Sequence, residues 1–171
     1  MLKAEQDQHA PTSDEILEAD FVVVGSGAAG LTGAITARRR GLSVIVLEAQ
    51  DVVGGTTARS GTWIWSPNNR WMREAGFTDE RDDAIRYMAR LSFPERYQSD
   101  AERFGLDAHE YEMINVFYST SGTALEELAE AGALDPVVKS NAPDYFADLP
   151  EDKAPYGRVI VSRGRNRPDQ L

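Results

Sequence analysis

The 171-residue sequence predicts an α/β fold that begins with a strand–helix–strand unit and continues in helices. Three observations predict this fold. The apolar run Phe21–Val24 leads directly into a Gly-x-Gly-x-x-Gly motif at 25–30. An alanine-rich segment with helical periodicity covers 28–40, and a second apolar run at 44–47 ends in the carboxylate of Glu48. We therefore expect two parallel strands joined by a right-handed helical crossover.

Each element of this unit has its own local signal. Asp20–Val24 and Ser43–Glu48 are short apolar runs rich in β-branched residues, which is typical of strands buried on both faces. Ala28–Arg40 ends in three arginines, which are favourable at the negative end of a helix dipole. Gly41 follows as a suitable helix-terminating residue.

The rest of the chain has weaker organisation. Residues 1–19 are predicted to be a flexible arm with a short helical turn at 13–17, and residues 20–171 the N-terminal part of one domain. Within that part, 77–140 is predicted to be a mainly helical insertion. The helices predicted after the first unit are Glu80–Leu91, Asp107–Ser119 and Ala124–Ala133.

Composition excludes several classes of function. A net charge of −10 argues against nucleic acid or an anionic membrane surface as a partner. The chain has no cysteine, and His9 and His109 lack partners at ligand spacing, so we expect no metal site. No apolar run has the length of a membrane span or a signal peptide, which predicts a cytoplasmic location.

The glycines have a mechanical explanation. Gly25 permits a tight turn, Gly27 lets the backbone approach a pyrophosphate, and Gly30 lets the helix pack against the strand. The helix N-terminus then offers N–H groups to phosphates, and Glu48 is placed to accept hydrogen bonds from an adenosine ribose. This context predicts a dinucleotide site, with a purely structural glycine turn as the alternative. A carboxylate there disfavours the 2′-phosphate of NADP.

A second loop, Gly54–Gly61, follows the expected ribose carboxylate and is rich in glycine and hydroxyl groups. It offers further donors and close backbone approach, which suits FAD better than NAD. Trp63 and Trp65 come next and could form a wall of a ligand site or part of the core.

These motifs, with Ile64–Asn69 after them, resemble the fumarate-reductase-type FAD-binding flavoproteins, and most nearly their 3-ketosteroid Δ1-dehydrogenase branch. The similarity is dense over 20–70 and resumes at Asp144-Tyr145-Phe146 and Gly157-Arg158. The resemblance implies a Rossmann-like FAD-binding βαβ unit with a partial parallel sheet. It also implies an oxidoreductase that moves a hydride from a steroid ketone to flavin N5. The residues it implies for FAD are Gly25, Ser26, Gly27, Ala28, Ala29, Gly30, Glu48, Ala49, Gly54, Gly55, Thr56, Thr57, Ser60 and Gly61.

Tyr145 is the one catalytic residue that the resemblance implies. It matches the first tyrosine of the family's Asp-Tyr-Tyr segment, which lies in the steroid pocket and supports the base that takes a C2 proton. A tyrosine packed on a loop and bonded to backbone is the alternative. Phe146 stands where the family often has a second tyrosine, and Thr62 replaces a common glycine.

Members of this family are roughly three times as long, and their substrate domain and catalytic base come later. We therefore expect an N-terminal portion that is inactive alone, holds FAD weakly, and self-associates or pairs with a C-terminal portion. The resemblance implies a small-molecule substrate of the steroid class, and no nucleic-acid partner. The alternatives are a related flavoprotein acting on another alicyclic ketone or an unsaturated acid, and a non-catalytic nucleotide-binding remnant.

Overall fold

The computed structural model describes residues 16–61 and 63–163, and the chain divides into two compact units, Met1–Gly55 and Thr56–Leu171. The helical turn predicted at 13–17 lies mostly outside the described residues, and residues 16–19 have no regular secondary structure. Each unit has its own β-sheet.

The first unit confirms the predicted strand–helix–strand arrangement. Its two strands pair in parallel, with Phe21 opposite Val44. Just before them, the Asp20 carboxylate accepts hydrogen bonds from the Ser43 backbone N–H and hydroxyl at 2.8 and 2.6 Å, which lower the pKa of Asp20. These bonds fix where the pairing begins. The elements of this unit are β1 (Phe21–Val24), α1 (Ala28–Arg39) and β2 (Val44–Leu47).

Helix α1 ends as the sequence predicts. Gly41 has φ of +86°, in the left-handed region that glycine adopts without steric cost, and its N–H donates to Arg38 O at 3.0 Å. Arg38 and Arg39 occupy the last turn of the helix, where the dipole favours cations.

Gly30 sets the distance between α1 and β1. A Cβ at this position would lie 2.0 Å from Gly25 O and 3.0 Å from Val23 Cγ1. The carbonyl belongs to the backbone of the turn, which cannot move away as a flexible side chain would. Gly30 therefore cannot carry a side chain while the helix keeps its position.

The strands of the first unit are not buried on both faces, so this expectation was wrong. Val23 is buried, but Val22, Val24 and Leu47 are 52%, 84% and 51% exposed. The physical reason is that the described sheet has two strands and is packed against α1, which covers one face.

The second unit contains an antiparallel three-stranded sheet that the sequence patterns did not predict. Its strand order is β3–β5–β4, with Ile64 opposite Ile160 and Val137 opposite Val161. Ile160 lies in the central strand and is fully buried. Short 3₁₀ helices occupy Thr57–Arg59 and Glu102–Gly105. The remaining elements are β3 (Trp63–Trp65), α2 (Arg70–Glu74), α3 (Arg81–Ser92), α4 (Ala108–Glu130), β4 (Pro136–Val138) and β5 (Val159–Ser162).

Helix α4 corrects the prediction of two helices at Asp107–Ser119 and Ala124–Ala133, since one helix covers both. It begins with a capping box, in which Asp107 and Glu110 exchange side-chain-to-backbone bonds of 2.9 and 3.0 Å. Between the expected helices, Gly122 lies beside Asn69, where a Cβ would make an ordinary van der Waals contact of 3.6 Å with Asn69 Cα. The helix continues through this stretch in spite of its weak helix propensity, because tertiary context outweighs propensity.

Helices α3 and α4 pack around the main core of the second unit. Their contact buries Ile85, Met88, Ala89, Leu106 and Ile114. In the part of the chain that the structure describes, no helix is both long and apolar enough to span a bilayer.

We expect Gly30→Ala to lower the free energy of unfolding by about 1–3 kcal/mol, because overpacking at this contact forces α1 away from β1. Urea unfolding followed by far-UV circular dichroism measures the loss.

Gly33→Ala is the matched control in the same helix. Its Cβ would lie 3.8 Å from Phe21 Cε1, an ordinary van der Waals contact, so the higher helix propensity of alanine should dominate. Equal stabilities of the two variants would contradict the close packing at Gly30.

Candidate cofactor site and adjoining features

The turn after β1 begins at a glycine that the backbone requires. Gly25 has φ of +92°, and its N–H donates to Leu47 O at 2.7 Å, which extends the strand pairing beyond β1. A side chain there would be strained by the left-handed conformation. The turn therefore directs the chain into α1 just beyond the end of the sheet.

The Glu48 carboxylate binds this turn. Its Oε2 accepts hydrogen bonds from the Ser26 hydroxyl and, at 3.0 Å, from the Ser26 N–H, while Oε1 accepts from Gln50 N–H at 3.0 Å. These bonds, above all that from the Ser26 hydroxyl, lower the pKa of Glu48 to about 2. Glu48 is thus ionised at neutral pH, and its four lone-pair sites leave acceptor capacity for a ribose hydroxyl.

Ser26 also connects the turn to the second glycine loop. Its side chain is 1% exposed, and its Oγ accepts a hydrogen bond from Gly54 N–H at 2.7 Å. A Cβ on Gly55 would lie 3.6 Å from Gly27 Cα, so this loop runs past the motif. The first unit therefore brings together the predicted residues at 25–30, 48 and 54–55.

Gly27 is the position that tests whether a dinucleotide fits. It has φ of −70°, and a Cβ there would meet no atom of the chain within 4 Å. Neither backbone conformation nor internal packing therefore requires a glycine, in contrast to Gly25 and Gly30. The first turn of α1 carries no acidic residue, and Ala28 and Ala29 are exposed. Open space beside a helix N-terminus suits a pyrophosphate, so these residues fit the group that the sequence predicts.

The other predicted cofactor residues are more dispersed. Ala49 is exposed after Glu48. Thr56, Thr57, Ser60 and Gly61 belong to the second unit, where the Ser60 hydroxyl donates to Thr57 O at 2.9 Å. Thr62 lies outside the described residues.

The second unit contains an apolar cavity of about 610 Å³. Tyr145, predicted to be catalytic, lies on its wall and is 94% exposed. It is therefore accessible to a ligand rather than packed within the loop. No sequence pattern predicts this cavity, because its wall comes from β3, α3, α4, β5 and the loop at 143–146. Its aromatic lining residues are Trp63, Trp65, Tyr87, Phe93, Phe117, Tyr145 and Phe146.

Trp65 is both part of the wall and part of the packed interior. Its ring lies parallel to Phe117, with centroids 6.2 Å apart and an interplanar angle of 12°. Its indole N–H donates to Asp144 Oδ1 at 2.9 Å, which fixes the orientation of the ring. Trp63 is more than half exposed.

A buried ionic cluster lies behind this wall; we call it the Arg158 cluster. The guanidinium of Arg158 is inaccessible to solvent and binds three carboxylates. Its Nη2 lies 2.7 Å from Asp79, and its Nη1 lies 2.9 Å from both Asp144 and Asp152. One cation is therefore shared among three acidic side chains.

Burial shifts the ionisation of groups in and near this cluster. It raises the pKa of Asp144 and of Asp152, although bonds to Arg158 act in the opposite direction. Burial also raises the pKa of the Tyr87 phenol to about 12, so Tyr87 is neutral at physiological pH. Asp152 Oδ2 is buried without a hydrogen-bond partner among the described residues.

Sequence reasoning did not identify the Arg158 cluster. Asp144 and Arg158 stood within the segments that carried the family resemblance, but neither was proposed as a site residue. The sequence signal for it is limited to an Asp next to Tyr145 and an Arg after Gly157, and neither pattern indicates that the side chains are buried together.

Comparison with known proteins supports the cofactor assignment. A protein-family model described as "FAD binding domain" matches residues 20–148. A 4-oxocyclohex-2-ene-1-carboxylate 5-dehydrogenase of Sinomonas cyclohexanicum is 36% identical over 156 residues, covering 91% of this chain and 24% of the relative. A 3-oxosteroid 1-dehydrogenase of Mycolicibacterium smegmatis is 49% identical over 71 residues, covering 42% of this chain and 12% of the relative.

A solved structure is similar in fold as well as in sequence. It is the 3-ketosteroid delta1-dehydrogenase from Sterolibacterium denitrificans in complex with 1,4-androstadiene-3,17-dione. It matches with a TM-score of 0.60 and 30% identity, covering 83% of this chain and 22% of that chain. The present chain thus spans about a quarter of the length of these relatives or less.

We expect Arg158→Met to lower the free energy of unfolding by about 3–5 kcal/mol at about pH 7, because three buried carboxylates lose their cation. Burial raises the pKa of Asp144 and of Asp152 whereas Arg158 lowers both, so the variant should take up protons at a higher pH than the parent. Protonation removes the uncompensated charge, and the cost should therefore shrink as the pH is lowered towards 5. Urea unfolding at both pH values measures it.

Two further variants make this test specific. Arg163→Met breaks an exposed ion pair with Asp135 of the same 2.7 Å length and should change stability by less than about 1 kcal/mol. Arg158→Lys keeps the charge and should recover part of the loss. A cost for Arg158→Met that equals that of Arg163→Met would refute the role of the cluster.

Proposed function

We propose that this chain, which belongs to the FAD binding domain family, forms the cofactor-binding part of an FAD-dependent oxidoreductase that dehydrogenates a 3-ketosteroid-like substrate. Its cofactor is FAD. The proposal is supported most strongly by the surroundings of Gly27. The space that a side chain would occupy there is empty, although neither the backbone conformation nor the packing of the chain requires a glycine.

Three groups of the predicted cofactor residues have proposed tasks. The N-terminus of α1 at Gly27–Gly30 receives the pyrophosphate, and Glu48 accepts hydrogen bonds from the adenosine ribose. The loop at 54–61 supplies further backbone donors. When bound, FAD provides the acceptor for a hydride leaving the substrate.

Tyr145 has a proposed positioning role. Its exposure on the cavity wall supports contact between its hydroxyl and either the substrate or the base that takes the proton. The cavity would hold the substrate's rings against the aromatic side chains. A cytoplasmic location and self-association through the exposed strands of the first unit remain predictions.

A second candidate is a related flavoprotein that acts on a smaller ring ketone carrying a carboxylate. It is favoured by the Sinomonas cyclohexanicum dehydrogenase, which is similar over 91% of this chain. The steroid candidate is favoured by higher identity over a shorter region and by the solved structure. The two candidates differ in the charge and size of the ligand.

We expect Gly27→Val to weaken FAD binding by ~10-fold or more, because the branched side chain fills the space next to the helix N-terminus. The chain should lose no more than about 1 kcal/mol of stability, because a Cβ at Gly27 meets no protein atom although valine is a poorer N-cap residue than glycine. Glu48→Gln should weaken FAD binding by ~10-fold through loss of a charge-assisted bond. Fluorescence titration of FAD measures both effects.

Two controls separate cofactor contact from folding. The exposed Glu18→Gln should leave FAD affinity unchanged. FMN lacks the adenosine ribose, so an equal loss of FMN and FAD affinity in Glu48→Gln would assign the effect to the turn rather than to ribose. Unchanged FAD affinity in Gly27→Val would contradict the cofactor site.

We expect the 171-residue chain, given excess FAD, to oxidise androstenedione more slowly than ~1 s⁻¹. Among the described residues, the carboxylate on the cavity wall belongs to Asp144, which is bound to Arg158 and Trp65 and is unsuited to act as a base. An anaerobic assay with an artificial acceptor measures turnover, with the Mycolicibacterium smegmatis enzyme as positive control. Faster turnover would show that the site is complete in this chain.

A further inference from the structure

The wall of the cavity carries negative but no positive charge. Among its described lining residues, Asp144 is the one charged side chain, and the rest are apolar, aromatic or hydroxyl-bearing. Asp144 is 4% exposed, and its two carboxylate oxygens are bound within the protein by the Trp65 indole N–H and by Arg158. A ligand in the cavity would therefore meet aromatic surface with a carboxylate just beneath it, and no lysine, arginine or histidine among the described lining residues.

The charge of Asp144 is only partly neutralised. Its Oδ2 accepts a hydrogen bond from Arg158 Nη1 at 2.9 Å, but Nη1 also donates to Asp152 Oδ1 at 2.9 Å, and Nε and Nη2 of the same guanidinium donate to Asp79. With all groups ionised, one positive charge faces three negative charges. The surplus makes the potential at the wall negative.

A carboxylate ligand would be disfavoured in such a place for two reasons. It would lose water without gaining a cation or a fork of donors, and it would be repelled by the Arg158 cluster through a medium of lower dielectric than water. An uncharged ring system suffers neither penalty and can pack against Trp65 and Phe117.

We propose that Asp144 is a specificity-determining residue, which makes the cavity select uncharged ring ketones and reject ring ketones that bear a carboxylate. The inference rests on the proposed function in treating the cavity as the substrate's place, and it selects the steroid class over the carboxylate class. It requires no flavin, because selection occurs at the binding step.

The experiment compares two ligands that differ in one charge. The probes are 3-oxoandrost-4-ene-17-carboxylate and its methyl ester, titrated into the FAD-free chain and followed by tryptophan fluorescence, to which Trp63 and Trp65 contribute from the cavity wall and Trp71 from outside it. The unmodified chain should bind the ester ~10-fold more tightly than the acid or better, and Asp144→Asn should reduce this ratio severalfold. Asp148→Asn, an exposed Asp→Asn change outside the lining, should leave the ratio unchanged.

A second variant tests the idea without altering the cluster. Met113 lines the cavity and is 55% exposed, so Met113→Lys adds a cation at little folding cost. It should tighten acid binding ~10-fold relative to the ester. Equal binding of acid and ester by the unmodified chain, or no binding of the ester, would overturn the proposal. So would a ratio that neither variant changes.

Failure of the proposal about Asp144 can be distinguished from failure of the proposed FAD-dependent function. The titration contains no FAD and reports the second unit, whereas the Gly27 and Glu48 variants report FAD affinity in the first. Loss of the FAD effects with retention of the charge selectivity would reject the flavoenzyme assignment and keep the role of Asp144.

Discussion

Two stretches of irregular backbone in the second unit are held by one buried guanidinium, that of Arg158, through three carboxylates. Asp79 precedes α3, Asp144 lies beside the cavity, and Asp152 follows it along the same loop region. The guanidinium also lies 4.9 Å from the centre of the Tyr87 ring. Five donors in a rigid plane allow one side chain to orient several loops at once. The position of the cavity wall therefore depends on this contact.

The same contact gives the wall its chemical character. A purely structural ion pair would need one carboxylate, whereas Arg158 has three, and a buried cluster with unequal charges is costly unless further hydrogen bonds offset the desolvation. The Trp65 indole supplies one such bond to Asp144. The orientation of the Trp65 ring is thus coupled, through this hydrogen bond, to the carboxylates that surround Arg158.

The first unit was accessible to sequence reasoning because its signals are local. The apolar runs, the glycine spacing and Gly41 each act on their immediate neighbours, and the structure has the elements within one residue of the predicted bounds. The sheet of the second unit has no comparable signal. Its strands are three or four residues long, β4 begins at Pro136, and they pair only through the tertiary fold. In the sequence, Arg158 cannot be distinguished from the arginines that follow it at 163, 165 and 167, because neighbouring residues do not reveal whether a side chain is buried.

In each of the two units the pKa of one carboxylate is shifted, in opposite directions: that of Glu48 is lowered and that of Asp144 is raised. Donors from Ser26 and Gln50 stabilise the charge of Glu48, whereas burial disfavours that of Asp144. Both nevertheless have the same consequence for a ligand. In the proposed cofactor site, an ionised Glu48 would accept from a ribose hydroxyl but repel a 2′-phosphate, and in the proposed substrate cavity Asp144 with its partners would repel a carboxylate. In each unit, the ligand that fits best is the one without an additional negative charge at that position.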